Sequence, residues 1–279
     1  MFVSFFFVLD QTSWPQKRQR PKQFYLDNIS GVLHLIAQNK HNIVMFSDDD
    51  EMLSLCAAQG AIAIRRELTS FWAWSQLDAI RQAMRPRHKR FAVPEFFSAE
   101  YVALQLCKFQ ALADVSMRTR EPCVWIDAGL KSYMLPRKPF LTSWSRSGIH
   151  CIQFAPTAPI EAWVTELPGA FLMGGCFGGF GPDVRRLFAQ SKSLLQELWA
   201  KEKSANDQQI LSLLYMRAPS MFHVQKAYTA WIPFIGTGKW EHVLMGMTSE
   251  TDENQTDLRW IGILLLVACL VLTTYKNAS

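Results

Sequence analysis

Short apolar runs alternate with stretches of helical periodicity through the first half of the chain. Phe2 to Leu9 is aromatic and β-branched, as a buried strand would be. From Phe24 onward, Leu26, Ile29, Leu33 and Ile36/Ala37 recur at helical spacing until His41-Asn42 breaks the pattern. Ile43 to Phe46 forms a second strand that ends at Ser47-Asp48-Asp49-Asp50. There Ser47 is placed to cap a helix, and Asp49, Asp50 and Glu51 suit its first turn. That helix stops at Gly60, and Ala61 to Ile64 make a third strand. Strands alternating with short helices predict βαβ units and a largely parallel sheet.

The pattern loosens over residues 67 to 94, which are rich in Trp and Arg. A helix from about Ser98 to Met117, with Tyr101, Leu104, Leu112 and Val115 on one face, then leads to Val124-Trp125-Ile126-Asp127-Ala128-Gly129. This is an apolar strand closed by a lone carboxylate. Lys131 to Gly148 reads as a mobile basic loop. Phe171 to Met173 is a further strand, leading into the cluster Gly174-Gly175-Cys176-Phe177-Gly178-Gly179. Gly181-Pro182-Asp183 starts an amphipathic helix with Val184, Leu187, Phe188, Leu194, Leu195, Leu198 and Trp199 inward. Asn206 caps another helix that ends before Pro219. No internal repeat is present.

The C-terminal end changes the picture. Trp260 to Tyr275 carries no charge and is bracketed by Arg259 and Lys276. As a helix it would run roughly 24 Å, slightly short of a hydrocarbon core. With the polar, acidic segment 248–258 before it, residues 259–276 are expected to be a C-terminal transmembrane anchor, the alternative being a helix docked on the core. One charge at each end leaves its orientation open. The expected organisation is one α/β domain over 1–247, a linker over 248–258 and the anchor.

Composition supports a large core: 49% of the 279 residues are hydrophobic and only 19% charged. The net charge of +5 suits an anionic ligand such as a nucleotide diphosphate and is too small to argue for nucleic acid. The dense cluster Arg85-Pro86-Arg87-His88-Lys89-Arg90 fits a solvated loop, or else an anionic partner. The six cysteines, at 56, 107, 123, 151, 176 and 269, lack C-x-x-C spacing and read as free thiols.

Candidate chemistry gathers at the ends of the predicted strands. Asp127 closes a strand at the sheet edge where open α/β proteins bind ligands. There it either caps a turn or holds Mg²⁺ or Mn²⁺ shared with substrate phosphates. Position 129 is glycine, so no second acid completes an Asp-x-Asp pair. Lys108, set among Leu104, Leu106, Cys107 and Phe109, must snorkel to the surface or pair with an anion such as Asp127 or a phosphate. Gly174-Gly175 and Gly178-Gly179 allow close backbone approach to a ligand, or simply a tight turn. They fit neither a Walker loop nor the dinucleotide fingerprint. Asp207 and Gln208 open the helix capped by Asn206, where an acid gains from the helix dipole or faces a sugar as orienter or base. His223, with Gly238-Lys239-Trp240 downstream, is either structural or a late metal or phosphate contact.

Taken in order, Arg18-Gln19-Arg20-Pro21-Lys22-Gln23-Phe24-Tyr25, Asn42-Ile43-Val44-Met45-Phe46-Ser47-Asp48, Lys108, Trp125-Ile126-Asp127-Ala128-Gly129, the glycine cluster and Asp207-Gln208-Gln209-Ile210-Leu211 resemble the bacterial HtrL/YibB proteins. That family is allied to GT-A nucleotide-diphospho-sugar transferases. The likeness covers roughly residues 1 to 225. It implies a GT-A-like fold, Rossmann-type with a mixed, mostly parallel sheet, and sugar transfer from a nucleotide-sugar donor to a glycan, lipid or protein acceptor. Asp127 would take the place of the metal-binding acid for Mn²⁺ or Mg²⁺. Lys108, Trp125 and Gln208 would lie at the donor, Gly174-Gly175 would shape the pocket, and Asp207 would face the sugar as the catalytic carboxylate, orienting its hydroxyls or serving as base. A non-catalytic scaffold at a membrane is the rival, favoured by the missing second acid. A nicotinamide oxidoreductase is disfavoured, since no glycine fingerprint follows the first strand.

Overall fold

In the computed structural model one face of the sheet is built by the early helices and the other by the late ones. The structure describes residues 1–12, 14, 19–38, 41–85, 94–129, 147–153, 164–165 and 171–226, all within the unit Met1–Met247. The linker 248–258, the apolar segment 259–276, most of the basic loop 131–148 and the cluster 86–90 lie outside the described residues. Among the described residues no helix is long and apolar enough to cross a membrane.

The strands are β1 (Phe2–Phe6), β2 (Ile43–Ser47), β3 (Ile62–Arg65), β4 (Cys123–Ile126), β5 (Ile149–Gln153), β6 (Leu172–Gly179) and β7 (Phe222–Lys226). They form one sheet in the order β3-β2-β1-β4-β6-β5-β7. β1 pairs in parallel with both β2 and β4, and β5 with β7. β6 runs antiparallel to both its neighbours, β4 and β5. The expected βαβ organisation is therefore present, with one reversed strand among the described residues.

Helices α1 (Lys22–Gln38) and α2 (Asp50–Ala58) connect β1 to β2 and β2 to β3. Their apolar stripes, Leu26, Ile29, Leu33, Met52 and Cys56, pack on Phe2, Phe6, Met45, Val124 and Ile126. The chain then crosses to the opposite face through α3 (Leu77–Met84) and α4 (Ala99–Ser116) before entering β4 on the far side of β1. There α4, α5 (Gly181–Ala200) and α6 (Asp207–Arg217) cover Val3, Phe5, Trp125 and Phe177. The period-2 alternation of Phe2/Val3 and Val124/Trp125 between the two cores is what a two-sided sheet requires.

The structure corrects several expectations. β1 ends at Phe6, short of Leu9. Ser47 does not cap α2: its hydroxyl donates to the Phe6 carbonyl at 2.6 Å, stitching β2 to β1, and Asp49 accepts from the Met52 amide instead. α4 is buried on nearly every side, because it lies between the sheet and α3 and α5 rather than on an exposed flank. Residues 67 to 94 contain α3, and β5 and β7 were not anticipated. The glycine cluster is not a loop after a strand: all four glycines lie inside β6. Cys56, Cys107, Cys123, Cys151 and Cys176 are buried free thiols. Burial pushes Cys56 and Cys123 up to about 11 and Cys176 up to about 12, so these stay protonated.

Candidate functional site

The sheet reverses its winding between β1 and β4, the two parallel strands whose connections leave in opposite directions. Such a switch point leaves a crevice beyond the strands' carboxyl ends, where open α/β sheets bind ligands. Asp127 stands at that place, one residue past β4. Its amide donates to the Gly175 carbonyl at 3.0 Å, extending the β4–β6 ladder by one step. Strand alternation turns its side chain toward α4, on the same face as Trp125. The Trp125 indole Nε1 donates to Asp127 Oδ1 at 2.6 Å. Trp125 itself is fully buried, so it orients the acid rather than meeting a ligand.

Lys108 projects from the buried helix α4 and does not snorkel. Its Nζ lies 2.8 Å from Asp127 Oδ1, 2.5 Å from Asp207 Oδ2 and 3.3 Å from the Gly174 carbonyl. These three acceptors match the three hydrogens of an ammonium. Burial works against its charge, but Asp127 and Asp207 outweigh that penalty and raise its pKa. Lys108 is thus held as a cation.

Asp207 reaches the same point from the first turn of α6. Asn206 and Gln209 form a reciprocal capping box, each side chain bonding the other's backbone at 2.9 Å. Gln209 also donates to the Val164 carbonyl at 2.8 Å, fixing the helix start. Asp207 Oδ1 accepts from the Gln208 amide at 2.9 Å. The two acids differ in access: 35% of the Asp127 side chain is exposed and 1% of that of Asp207. The Asp207 carboxylate, expected to face a sugar, is turned to Lys108 and enclosed. Burial raises its pKa, Lys108 opposes the rise and Asp127 adds to it.

Glycine is needed where the acids close on β6. A Cβ on Gly174 would overlap the Asp207 carboxylate, and one on Gly175 would come within 3.3 Å of Asp127 Oδ2. The ladder slips here: Cys151 pairs with Phe177 but Gln153 with Leu172. This irregularity in β6 spans Gly174-Gly175 and lets the Gly174 carbonyl turn to Lys108. Bulges of this kind re-aim groups beside functional sites. Gly178 and Gly179 lie further along β6, facing the start of β4 and Gly148, and belong to strand packing rather than to the crevice. Gln208 lies over Gly174, half-buried beside the crevice.

Tyr25 and Arg20, part of the resemblance but not assigned to the site, also belong to this edge. The Tyr25 ring contacts Gly129, 3.5 Å from where a Cβ would stand. Burial raises the Tyr25 pKa; the charge of Arg20 lowers it and that of Asp127 raises it, so all three lie within electrostatic reach. The legible signal was positional: the residues opening a crossover helix must stand at the carboxyl edge of the strands. His223 lies elsewhere, near the start of β7, its ring tilted against that of His150 at 4.9 Å and its Nε2 2.6 Å from the Ser147 carbonyl. Gly238-Lys239-Trp240 falls outside the described residues. A hollow of about 480 Å³ lined by Ser30, Gly31, His34, Ala37 and Gln59 lies against α1 and α2 and contains none of the candidate residues.

The fit of Mn²⁺ or Mg²⁺ is poor. Asp127 Oδ1 is committed to Trp125 and Lys108, and Asp207 is sealed with both oxygens bonded. Among the described residues no three or more His, Cys, Asp or Glu side chains gather as a metal shell. No protein-family model matches the chain, and no curated protein matches it. The likeness to the HtrL/YibB proteins therefore rests on the sequence motifs alone.

Proposed function

We propose that the protein is a glycosyltransferase that moves a sugar from a nucleotide-diphosphate donor to a glycan, lipid or protein acceptor, on a GT-A-like form of this sheet. The observation that carries the reading is the half-exposed Asp127 carboxylate, fixed through one oxygen at the switch-point crevice. The doubly wound order, with one reversed strand that brings glycines beside the acid-bearing strand, is compatible with such a fold. In this reading Asp127 is the acid that meets the donor. Its Oδ1 is anchored, and Oδ2, which has no partner among the described residues, accepts a donor hydroxyl. A carboxylate held this way needs no reorganisation as charge develops, which is where electrostatic catalysis is most effective. Gln208 borders the same crevice. Asp207, Lys108 and Trp125 act through Asp127 as positioning residues. Residues 259–276 tether the domain to a membrane.

Two measurements test this. With a saturating donor, at about 100 times its Kd, the full-length protein should gain about 2.7 kcal/mol of stability, a thermal shift on the order of 5–10 °C. The panel is UDP-, GDP- and CMP-sugars. Asp127→Asn should fold, because Lys108 keeps Asp207 as counter-ion, yet lose both the shift and sugar turnover. An unchanged shift in that variant would sink the role of Asp127. No shift with any donor would favour the scaffold reading, for which the sealed acid–lysine cluster is the supporting observation. For the tether, deleting 259–276 should move the protein from the membrane pellet to the carbonate-soluble fraction. Continued sedimentation with membranes would refute it.

A further inference from the structure

The arrangement around Lys108 Nζ is that of a cation shell: two carboxylate oxygens from different elements, Asp127 Oδ1 after β4 and Asp207 Oδ2 on α6, and one main-chain carbonyl, Gly174 O on β6. Carboxylates and carbonyls are the ligands that hard divalent cations prefer. We propose that Lys108 is a built-in replacement for a divalent cation, and that the site binds its ligand without metal. The donor part of this statement rests on the glycosyltransferase reading; the cation part does not.

All three ammonium hydrogens have acceptors, so Lys108 has none left to offer a phosphate. Its tether to α4 is buried, with the lysine 5% exposed, so the ammonium is a fixed part of the core rather than an exchangeable ion. A second cation approaching Asp127 would find Oδ2 alone, with the ammonium 2.8 Å from the neighbouring oxygen opposing it. One of the two carboxylates of the potential shell, Asp207, is closed to solvent. The glycines match the lysine-filled state, since Gly174 lets the Asp207 carboxylate close on β6. The negative charge of a donor is then met by fixed cations at the same edge, such as Arg20, whose guanidinium stacks on Phe24 at 4.6 Å.

The test is Mn²⁺ binding to the full-length protein, followed by the loss of the free-ion signal in electron paramagnetic resonance. Wild type should leave the free Mn²⁺ signal undiminished. Lys108→Ala empties the shell and should gain Mn²⁺ affinity by about tenfold or more, a gain removed by adding Asp127→Asn. Mn²⁺ retained by wild type and lost in Asp127→Asn overturns the proposal. So does a folded Lys108→Ala that gains no affinity. Should Lys108→Ala not fold, wild type decides alone: donor-induced thermal shifts should be equal in EDTA and in Mn²⁺, and a shift that requires Mn²⁺ overturns the proposal. If no donor shifts the protein in either buffer, the glycosyltransferase reading fails, while the Mn²⁺ titration of wild type still decides the role of Lys108.

Discussion

Replacing Lys108 with methionine should destabilise the protein by about 3–5 kcal/mol, the usual cost of removing one partner from a buried ion pair. For a domain of this size that lowers Tm on the order of 10 °C. Methionine matches the lysine stem in length and flexibility, so the loss isolates the charge rather than the packing. The effect falls mainly on Asp207. Asp127 is 35% exposed and can regain water, whereas Asp207 is sealed and would retain only the Gln208 amide. Adding Asp207→Asn to Lys108→Met should therefore restore most of the lost stability, because the pair is then removed together. Urea unfolding of wild type, single and double variants measures this. A single-variant loss below about 1 kcal/mol would show that the cluster is hydrated and not buried.

The same cluster fixes a pH dependence. Burial raises the Asp207 pKa above its ordinary 3.8. An acid whose folded pKa is raised binds protons in the native state that the unfolded chain has already released. Stability therefore falls as pH rises through the window above 3.8. In wild type Lys108 opposes the rise and keeps this slope shallow. In Lys108→Met the window widens upward, so acidification toward the ordinary carboxylate range should recover part of the lost Tm. Equal slopes for the two proteins would mean that Lys108 does not carry the Asp207 charge.

Hydrophobic periodicity is enough to place β1 to β4 and the helices α1, α2 and α4, because each of these strands is a short apolar run between polar breaks; α3, in the Trp- and Arg-rich stretch, is not legible in this way. β5 and β7 were not legible: Ile149–Gln153 contains His150 and Gln153, and Phe222–Lys226 contains His223 and Gln225, so neither is an uninterrupted apolar run. The glycines of β6 suggested a loop because glycine weakens strands by local preference. Their place in a strand is set by what crosses them, the Asp207 carboxylate at Gly174 and the backbone of β4 at Gly178. Asp127 was legible as an acid closing an apolar run, and Lys108 as a charge among apolar neighbours. Their pairing with Asp207, 99 residues beyond Lys108, joins three elements that no local pattern connects. Metal ligation and a sugar-facing Asp207 were natural expectations for acids considered one at a time. The lysine between them changes what each acid is free to do.

Gly178→Ala should be the most damaging of the glycine substitutions, and it should act on the sheet rather than on the site. A methyl there would collide with the Cys123 carbonyl and approach the Val124 Cα, both main-chain atoms of β4. Main chain in a central ladder cannot swing aside as a side chain can, so β4 and β6 must separate. Overpacking in a close-packed core costs about 1–3 kcal/mol, and the lack of any yielding atom puts this position near the upper end, about 3 kcal/mol. Gly60→Ala is the control: its φ of +81° strains any L residue, but nothing lies within 4 Å of the new methyl. Its cost should stay at about 1–2 kcal/mol, the usual penalty of an L residue in the left-handed region. Gly174→Ala sits between them in stability but differs in kind, because the methyl displaces the Asp207 carboxylate that holds Lys108. Below their melting temperatures, Gly178→Ala should keep the donor-induced thermal shift and Gly174→Ala should lose it. A Gly178→Ala protein as stable as wild type would show that β6 is not held against β4 in the register that sets Gly178 opposite Val124.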